Sequence, residues 1–274
     1  MRDYFKTYSC LSDMLSDAKR GRDKYSYGDS WAGGMSVRDA CALIERGDVF
    51  SDSVLREAKL LYEQVDASFR DRETHAWMPS VAGAYPIVAE MLQGVPEYMR
   101  AQQAIESDIA PIKVYIEASI SAGVSQHEAT KRGAALAALV MRMSEERPVE
   151  LHAFAAWALT SQRRKEMFWS VKLDSTPISI AQVVNTIANV SFTRAINFAT
   201  CRCVAGDIQD YDSFSWAQER HKDGRKEGIR ARFNLEPQDI IVERGYLDDA
   251  ALMGSDPVAW VHKQLEKQRT LDAA

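Results

Sequence analysis

The stretch that decides the fold is IKVYIEASISAGVSQHEATKRGAALAALV, Ile112 to Val140. An apolar run, Ile112 to Ile116, reaches Glu117, Ser119 and Ser121, turns at Gly123 and continues as small and apolar residues. Ala129, Gly133, Leu136, Val140 and Met143 recur at helical spacing, so a buried strand is followed by a long helix. VELHAFAAWAL (Val149–Leu159) reads as a second strand. MFWSVKLDS (Met167–Ser175) reads as a third, joined to it by the polar turn SQRRKE, so the two form a hairpin. ISIAQVVNTIANV and SFTRAINFATCRCV then read as helical pieces, and QDIIVERGYLDD as a fourth strand. SDPVAWVHKQLEKQ closes the chain as a helix with Asp256 as cap and Pro257 in its first position. The order β-α-β-β-α-α-β-α predicts an α/β fold, because a strand, a crossover helix and a parallel strand form a right-handed unit.

Upstream, residues 1–105 read as a mostly helical region packed on a main domain over 106–274. In GGMSVRDACALIERGDVF, Ser36 is placed to cap a helix whose inner face holds Val37, Ala40, Cys41 and Ile44. A second helix has the inner stripe Val54, Ala58, Leu61 and Val65. Between Trp77 and Met99, the residues Pro79, Gly83, Pro86, Gly94 and Pro96 predict an irregular packed segment with one short helix around Ile87–Leu92.

The chain has 274 residues, 46% hydrophobic and 27% charged, enough for one good core or two modest ones. No window approaches the length of an uncharged membrane span, and the first residues lack the apolar segment of a signal peptide. The four cysteines, Cys10, Cys41, Cys201 and Cys203, have no zinc-site spacing and read as reduced thiols. A cytoplasmic protein is therefore expected. The formal net charge of −5 excludes a globally basic polyanion binder, so any nucleic-acid contact has to come from a local patch.

One carboxylate and two hydroxyls, spaced two apart at the end of a strand, point the same way and offer hard oxygens. Together with the strand order and the hairpin, Glu117-x-Ser119-x-Ser121 resembles the von Willebrand factor A fold. In that family the corresponding D-x-S-x-S belongs to a metal-ion-dependent adhesion site at the carboxyl end of the sheet. The resemblance implies a Mg²⁺ site at Glu117, Ser119 and Ser121. Thr193 or Ser191 in SFTRAI would supply its second element, and Asp248 or Asp249 after the fourth strand its third. Glu in place of Asp adds one methylene, which an Mg²⁺ octahedron accommodates poorly. The alternative is a degenerate site, with the serines as turn and cap residues and Arg194 pairing with Glu117. The whole chain is also similar to a group of phage and mobile-element proteins that carry W-x-G-G (here Trp31–Gly34) and P-S-V-A-G (Pro79–Gly83). That similarity implies an accessory protein working beside replication or transcription machinery.

ERHKDGRKEGIRARF, Glu219 to Phe233, is locally basic and loop-like. Arg220, Lys222, Arg225, Lys226, Arg230 and Arg232 are set against three acids, with Trp216 and Phe233 as candidate stacking platforms for single-stranded DNA. Arg163, Arg164 and Lys165 add charge at the hairpin turn, and Lys19, Arg20, Arg22 and Lys24 near the start. No phosphate-binding, dinucleotide, nucleophile-elbow or zinc-protease motif is present, and the five histidines are scattered. No catalytic residue is assigned. The expectation is a non-enzymatic binding protein. It acts either through the basic segment on nucleic acid, or through the Glu117 site on a protein partner.

Overall fold

A computed structural model describes residues 4–21, 34–46, 51–65, 75–81, 85–86, 88–96, 99–104, 111–119, 124–159, 165–173, 180–205, 214–216, 225–243 and 255–272. The main sheet has six strands: β1 (Tyr4–Tyr8), β5 (Ile112–Glu117), β6 (Val149–Leu159), β7 (Lys165–Lys172), β8 (Phe214–Trp216) and β9 (Ile240–Val242). Its order is β1-β7-β6-β5-β9, with β8 pairing the far end of β6. Strands β6, β5 and β9 are mutually parallel. β7 returns antiparallel to β6, as the hairpin reading required, and β1 lies parallel to β7.

Strand alternation sends two sets of side chains to opposite sides of this sheet. Ile112, Val114, Ile116, Leu151, Ala153, Trp169 and Val171 join the main core. That core also takes the inner face of α5 (Gln126–Glu146), including Ala134, Leu136, Leu139 and Met143. Tyr115, Phe154, Ala156, Phe168 and Ile241 point the other way, where α8 (Arg225–Phe233) covers them with Ile229 and Phe233. The sheet is thus wound on both faces.

Helix α5 begins where the sequence predicted. The Ser125 hydroxyl accepts from the Glu128 N–H at 3.2 Å, and the Glu128 carboxylate reaches back to the Ser125 N–H at 2.7 Å. Ser36 caps α2 (Val37–Arg46) by accepting from the Asp39 N–H at 3.1 Å. Asp256 caps α9 (Pro257–Asp272) by accepting from the Ala259 N–H at 3.0 Å.

The first hundred residues are less purely helical than expected. Helices α1 (Leu11–Gly21), α2 and α3 (Ser51–Gln64) are present, and Val54, Ala58, Leu61 and Val65 are buried together. β1, however, belongs to the main sheet, and Met14, Leu15, Cys41 and Ala58 share one core with α5 and β5. Around the segment from Trp77 to Met99, expected to be irregular apart from one helix, three strands form an antiparallel sheet. Its strands are β2 (His75–Ser80), β4 (Met99–Ala104) and β3 (Tyr85–Pro86) in that order, and the predicted helix is α4 (Val88–Leu92). Pro79 and Pro86 sit on its two outer strands, the strands on which proline is tolerated.

Candidate functional site at the carboxyl end of β5

From β5 the chain crosses through α5 to β6, then β7. It later returns to β9 on the other side of β5. The carboxyl ends of β5 and β9 therefore mark the switch point of the sheet, the place where open α/β folds hold their ligands. Glu117 is the last residue of β5 and is fully buried. The Ser119 hydroxyl, also buried, donates to Glu117 Oε1 at 2.8 Å. The β5–β9 register ends at Ile116 opposite Val242, so the next residues along the two strands are Glu117 and Glu243. Sequence reasoning looked beyond Glu243 to Asp248 and Asp249, which lie outside the described residues. Its signal was its position as the first acid after the apolar triplet of β9.

Two further segments close on this point. Helix α6 (Ile180–Ile187) ends in a turn, Ala188 and Asn189, that leads into a turn of π-helix over Phe192–Ile196 and then α7 (Asn197–Ala205). The side chain of Gln126, in the first turn of α5, clamps that turn. Its Nε2 donates to the Ala188 carbonyl at 2.8 Å, and its Oε1 accepts from the Val190 N–H at 3.2 Å. One turn-pair further along α5, Gly133 lies so close to Ala188 that an added Cβ would stand 2.2 Å from the Ala188 Cβ. The π-turn buries Thr193 and Arg194 beside the start of α5, and Arg194 Nη2 donates to the Val124 carbonyl at 2.5 Å. Thr193 Oγ1 donates to the Val190 carbonyl at 3.1 Å, and the Ser191 N–H donates to Asn189 Oδ1 at 2.8 Å. Asn197 fixes the turn from below: its Nδ2 donates to the Thr193 carbonyl and its Oδ1 accepts from Trp169 Nε1 at 3.0 Å.

A cation beside Glu117 is Arg132, which sequence reasoning did not single out. From the second turn of α5, its Nη2 donates to the Glu117 carbonyl oxygen at 2.9 Å. Burial lowers the affinity of the guanidinium for its proton, and the Glu117 carboxylate opposes that shift. Arg132 Nη1 is enclosed without a hydrogen-bond partner. Burial also pulls Arg194 below its ordinary range. Of the predicted oxygen ligands, Glu117 and Ser119 bond one another at the end of β5, while Thr193 is spent on the Val190 carbonyl of its own turn. Ser121 lies outside the described residues.

These residues do not fit a divalent ion. Glu117 and Ser119 are hard donors, but Glu117 already meets the charge of Arg132. A divalent ion roughly 5 Å from a guanidinium would meet repulsion on the order of 6 kcal/mol at an effective dielectric constant near 20. Among the described residues no three His, Cys, Asp or Glu side chains are grouped to share a metal.

Residues 2–226 match the family described as "Domain of unknown function (DUF7192)". The chain belongs to that family. The DUF7192 match runs from before β1 into the first residues of α8. It contains Glu117, Ser119, Arg132, Thr193 and Arg194, while β9 with Glu243 lies beyond it. No curated protein and no solved structure matches this DUF7192 chain. Among its described residues, no helix is long and apolar enough to cross a membrane.

The basic segment divides. Its second half is the helix α8, not a loop, because Ile229 and Phe233, four apart, bury against the sheet. Phe233 turns inward, its ring centroid 5.0 Å from Tyr115 and 5.7 Å from Phe154. Arg230 ties down the end of its helix, donating to the Glu236 carbonyl at 2.6 Å and the Asp239 carbonyl at 2.7 Å. Arg232 is exposed, 5.2 Å over the Phe168 ring. Arg225 and Lys226 begin α8, and Lys165 begins β7 opposite Leu159. Arg163, Arg164, Arg220 and Lys222 lie outside the described residues. At the other end of the chain, Lys19 pairs with Glu45 at 2.5 Å and Arg20 with the buried Asp17.

Proposed function

We propose that this chain is a non-enzymatic recognition protein of von Willebrand A-like architecture whose binding end is formed by the carboxyl ends of β5 and β9. The observation that carries the reading is the burial of polar groups at the end of β5: Glu117 and Ser119 are unexposed, and Arg194, at 6% exposure, reaches from the π-turn to the start of α5. Buried charges cost stability unless paired, and a fold gains nothing by collecting them at a strand end. Concentrated there, they favour a ligand site. The strand order β7-β6-β5-β9, with β7 alone of the four reversed, supports the finer architecture.

The test is affinity capture with the full chain, comparing the natural protein with Glu117→Gln, Ser119→Ala and Arg232→Glu, each checked for fold by circular dichroism. A partner held by the natural protein and Arg232→Glu, and lost from both site variants, fits the reading. A partner held equally by folded Ser119→Ala and Glu117→Gln variants refutes it.

A second reading, single-stranded nucleic acid along α8, rests on Arg225 and Lys226 in its first turn. Cations there work against the helix dipole and favour a bound phosphate. It predicts anisotropy of labelled single-stranded DNA that falls steeply with added salt and is reduced by Arg225→Glu.

A further inference from the structure

We infer that the exposed stripe of α4 is the contact through which two copies of this chain pair. The inference stands apart from the reading of the β5 end. In VAEMLQGVP, Val88 to Pro96, the large apolar residues fall at i, i+3, i+4 and i+7: Val88, Met91, Leu92 and Val95. That spacing puts Val88, Met91 and Leu92 on one side of the helix, and Val95 follows in the turn that caps it. Such a side normally covers a core. Here it faces outward: Val88 is 58% exposed, Met91 44%, Leu92 77% and Val95 38%. Backbone bonds fix the stripe. The Gly94 N–H donates to the Met91 carbonyl at 3.1 Å and the Val95 N–H to the Glu90 carbonyl at 3.0 Å, with Gly94 at a φ of 73°. This is the paired cap that ends a helix on a left-handed glycine, and it leaves little of the turn to be ordered on association.

Size and charge identify the occupant. The four side chains leave on the order of 400 Å² of apolar surface in water, as much as the largest patch on a typical monomer. A standard interface takes about 800 Å² from each partner, and about 65% of it is apolar between identical subunits, so it calls for about 500 Å². Val81, 70% exposed just past the end of β2, adds to the same arm of the chain. Among the described residues the other exposed large apolar side chains, Phe5, Leu60 and Leu271, are single residues of β1, α3 and α9. With a formal net charge of −5, two copies repel at long range. The stripe is where they can meet. Between Val88 and Pro96 the single charge is Glu90, on the opposite side of the helix. A twofold axis through the stripe buries the apolar side chains of both copies against each other and opposes no like charges. A partner recognised through charge would find nothing to pair with there.

The experiment is sedimentation equilibrium of the full chain from about 1 to 100 µM, a range that brackets a micromolar dissociation constant. The natural protein is expected to approach twice the mass of one chain at the upper end. Leu92→Glu changes a side chain that is exposed in the single chain, so it should fold normally. It puts a carboxylate into the contact from each copy and should weaken pairing about a hundredfold or more. Leu60→Glu, an equally exposed position on α3, should leave pairing unchanged. If Leu92→Glu does not fold by circular dichroism, Val88→Glu is judged in the same way. A natural protein with the mass of one chain throughout overturns the inference. So does pairing that a folded Leu92→Glu or Val88→Glu keeps, or that Leu60→Glu loses as fully. A single chain that captures another protein, and loses it in Leu92→Glu, would assign the stripe to that protein and overturn pairing between copies.

Discussion

Replacing Gly133 by alanine sets two effects of opposite sign against each other. Glycine in the interior of a helix costs about 1 kcal/mol relative to alanine, so propensity alone predicts that Gly133→Ala stabilises α5. Packing predicts the reverse. The new Cβ would stand 2.2 Å from the Ala188 Cβ, 3.0 Å from its Cα and 3.4 Å from its nitrogen. Unbonded carbons rest about 3.5–4.0 Å apart. No rotamer relieves the contact, because both groups are methyls on backbone. The turn could retreat only by breaking the two bonds from Gln126 that hold Ala188 and Val190. Overpacking of this kind costs about 1–3 kcal/mol, and a strained hydrogen bond adds about 1 kcal/mol. Setting these against the propensity gain leaves a net loss of about 2 kcal/mol. For a chain of this size that lowers Tm by about 4–8 °C. Calorimetry on Gly133→Ala measures it, and Ala188→Gly in the same chain should recover most of the loss. A Tm equal to or above that of the natural protein would refute the close crossing of α5 and the α6–α7 turn.

Three other outcomes follow from buried groups. Asp17 is buried and accepts from Tyr8 at 2.8 Å while pairing with Lys6 and Arg20, so Asp17→Asn should cost about 2 kcal/mol by urea unfolding with an unchanged slope; a loss under about 0.5 kcal/mol would contradict the pairing. His152 stacks on Tyr115 at 4.3 Å, with its Nε2 2.6 Å from Glu150 and with Lys172 and Lys113 nearby. Burial holds the imidazole below its usual 6.5, so the unfolded chain takes up the proton first. Its contribution is full above that pH and is lost as pH falls towards the folded value. His152→Gln should flatten the decline in urea midpoint between about pH 7 and pH 5.5, and an unchanged slope would exclude this origin. Burial pushes the Cys201 thiol up to about 12, so a thiol reagent should label the half-buried Cys10 and Cys203 in the native protein and reach Cys201 only on unfolding, as peptide mass mapping would show.

Most strands and helices from Ile112 onward, though not β8 or α8, were legible because their apolar residues keep one period along each element. Glu117 and Ser119 stood out because a carboxylate and a hydroxyl spaced two apart follow an apolar run with no other acid in it. What escaped needed information from distant parts of the chain. YFKTY is too short and too polar on one side to announce β1 until β7 is beside it. Pro79 and Pro86 read as breakers because the sequence does not say that both strands are edges. Gly224 and Gly228 in the basic segment read as loop signals, although Ile229 and Phe233 turn α8 inward. Arg132 looked like an ordinary surface charge within a run of small residues. Only the crossover of α5 over β5 shows where its guanidinium lands.

The pairing of β1 with β7 also constrains the order of events during synthesis. Tyr4 to Tyr8 leave the ribosome roughly 160 residues ahead of their partners, Met167 to Val171. At about 5–20 residues per second the nascent chain waits on the order of 10–30 s with this segment unpaired. An unpaired strand is a template for any other strand. Lys6, in the middle of β1, puts a charge on that template throughout the wait. Translation speed and chaperone supply should therefore affect the yield of this protein more than that of a fold whose first strand pairs locally.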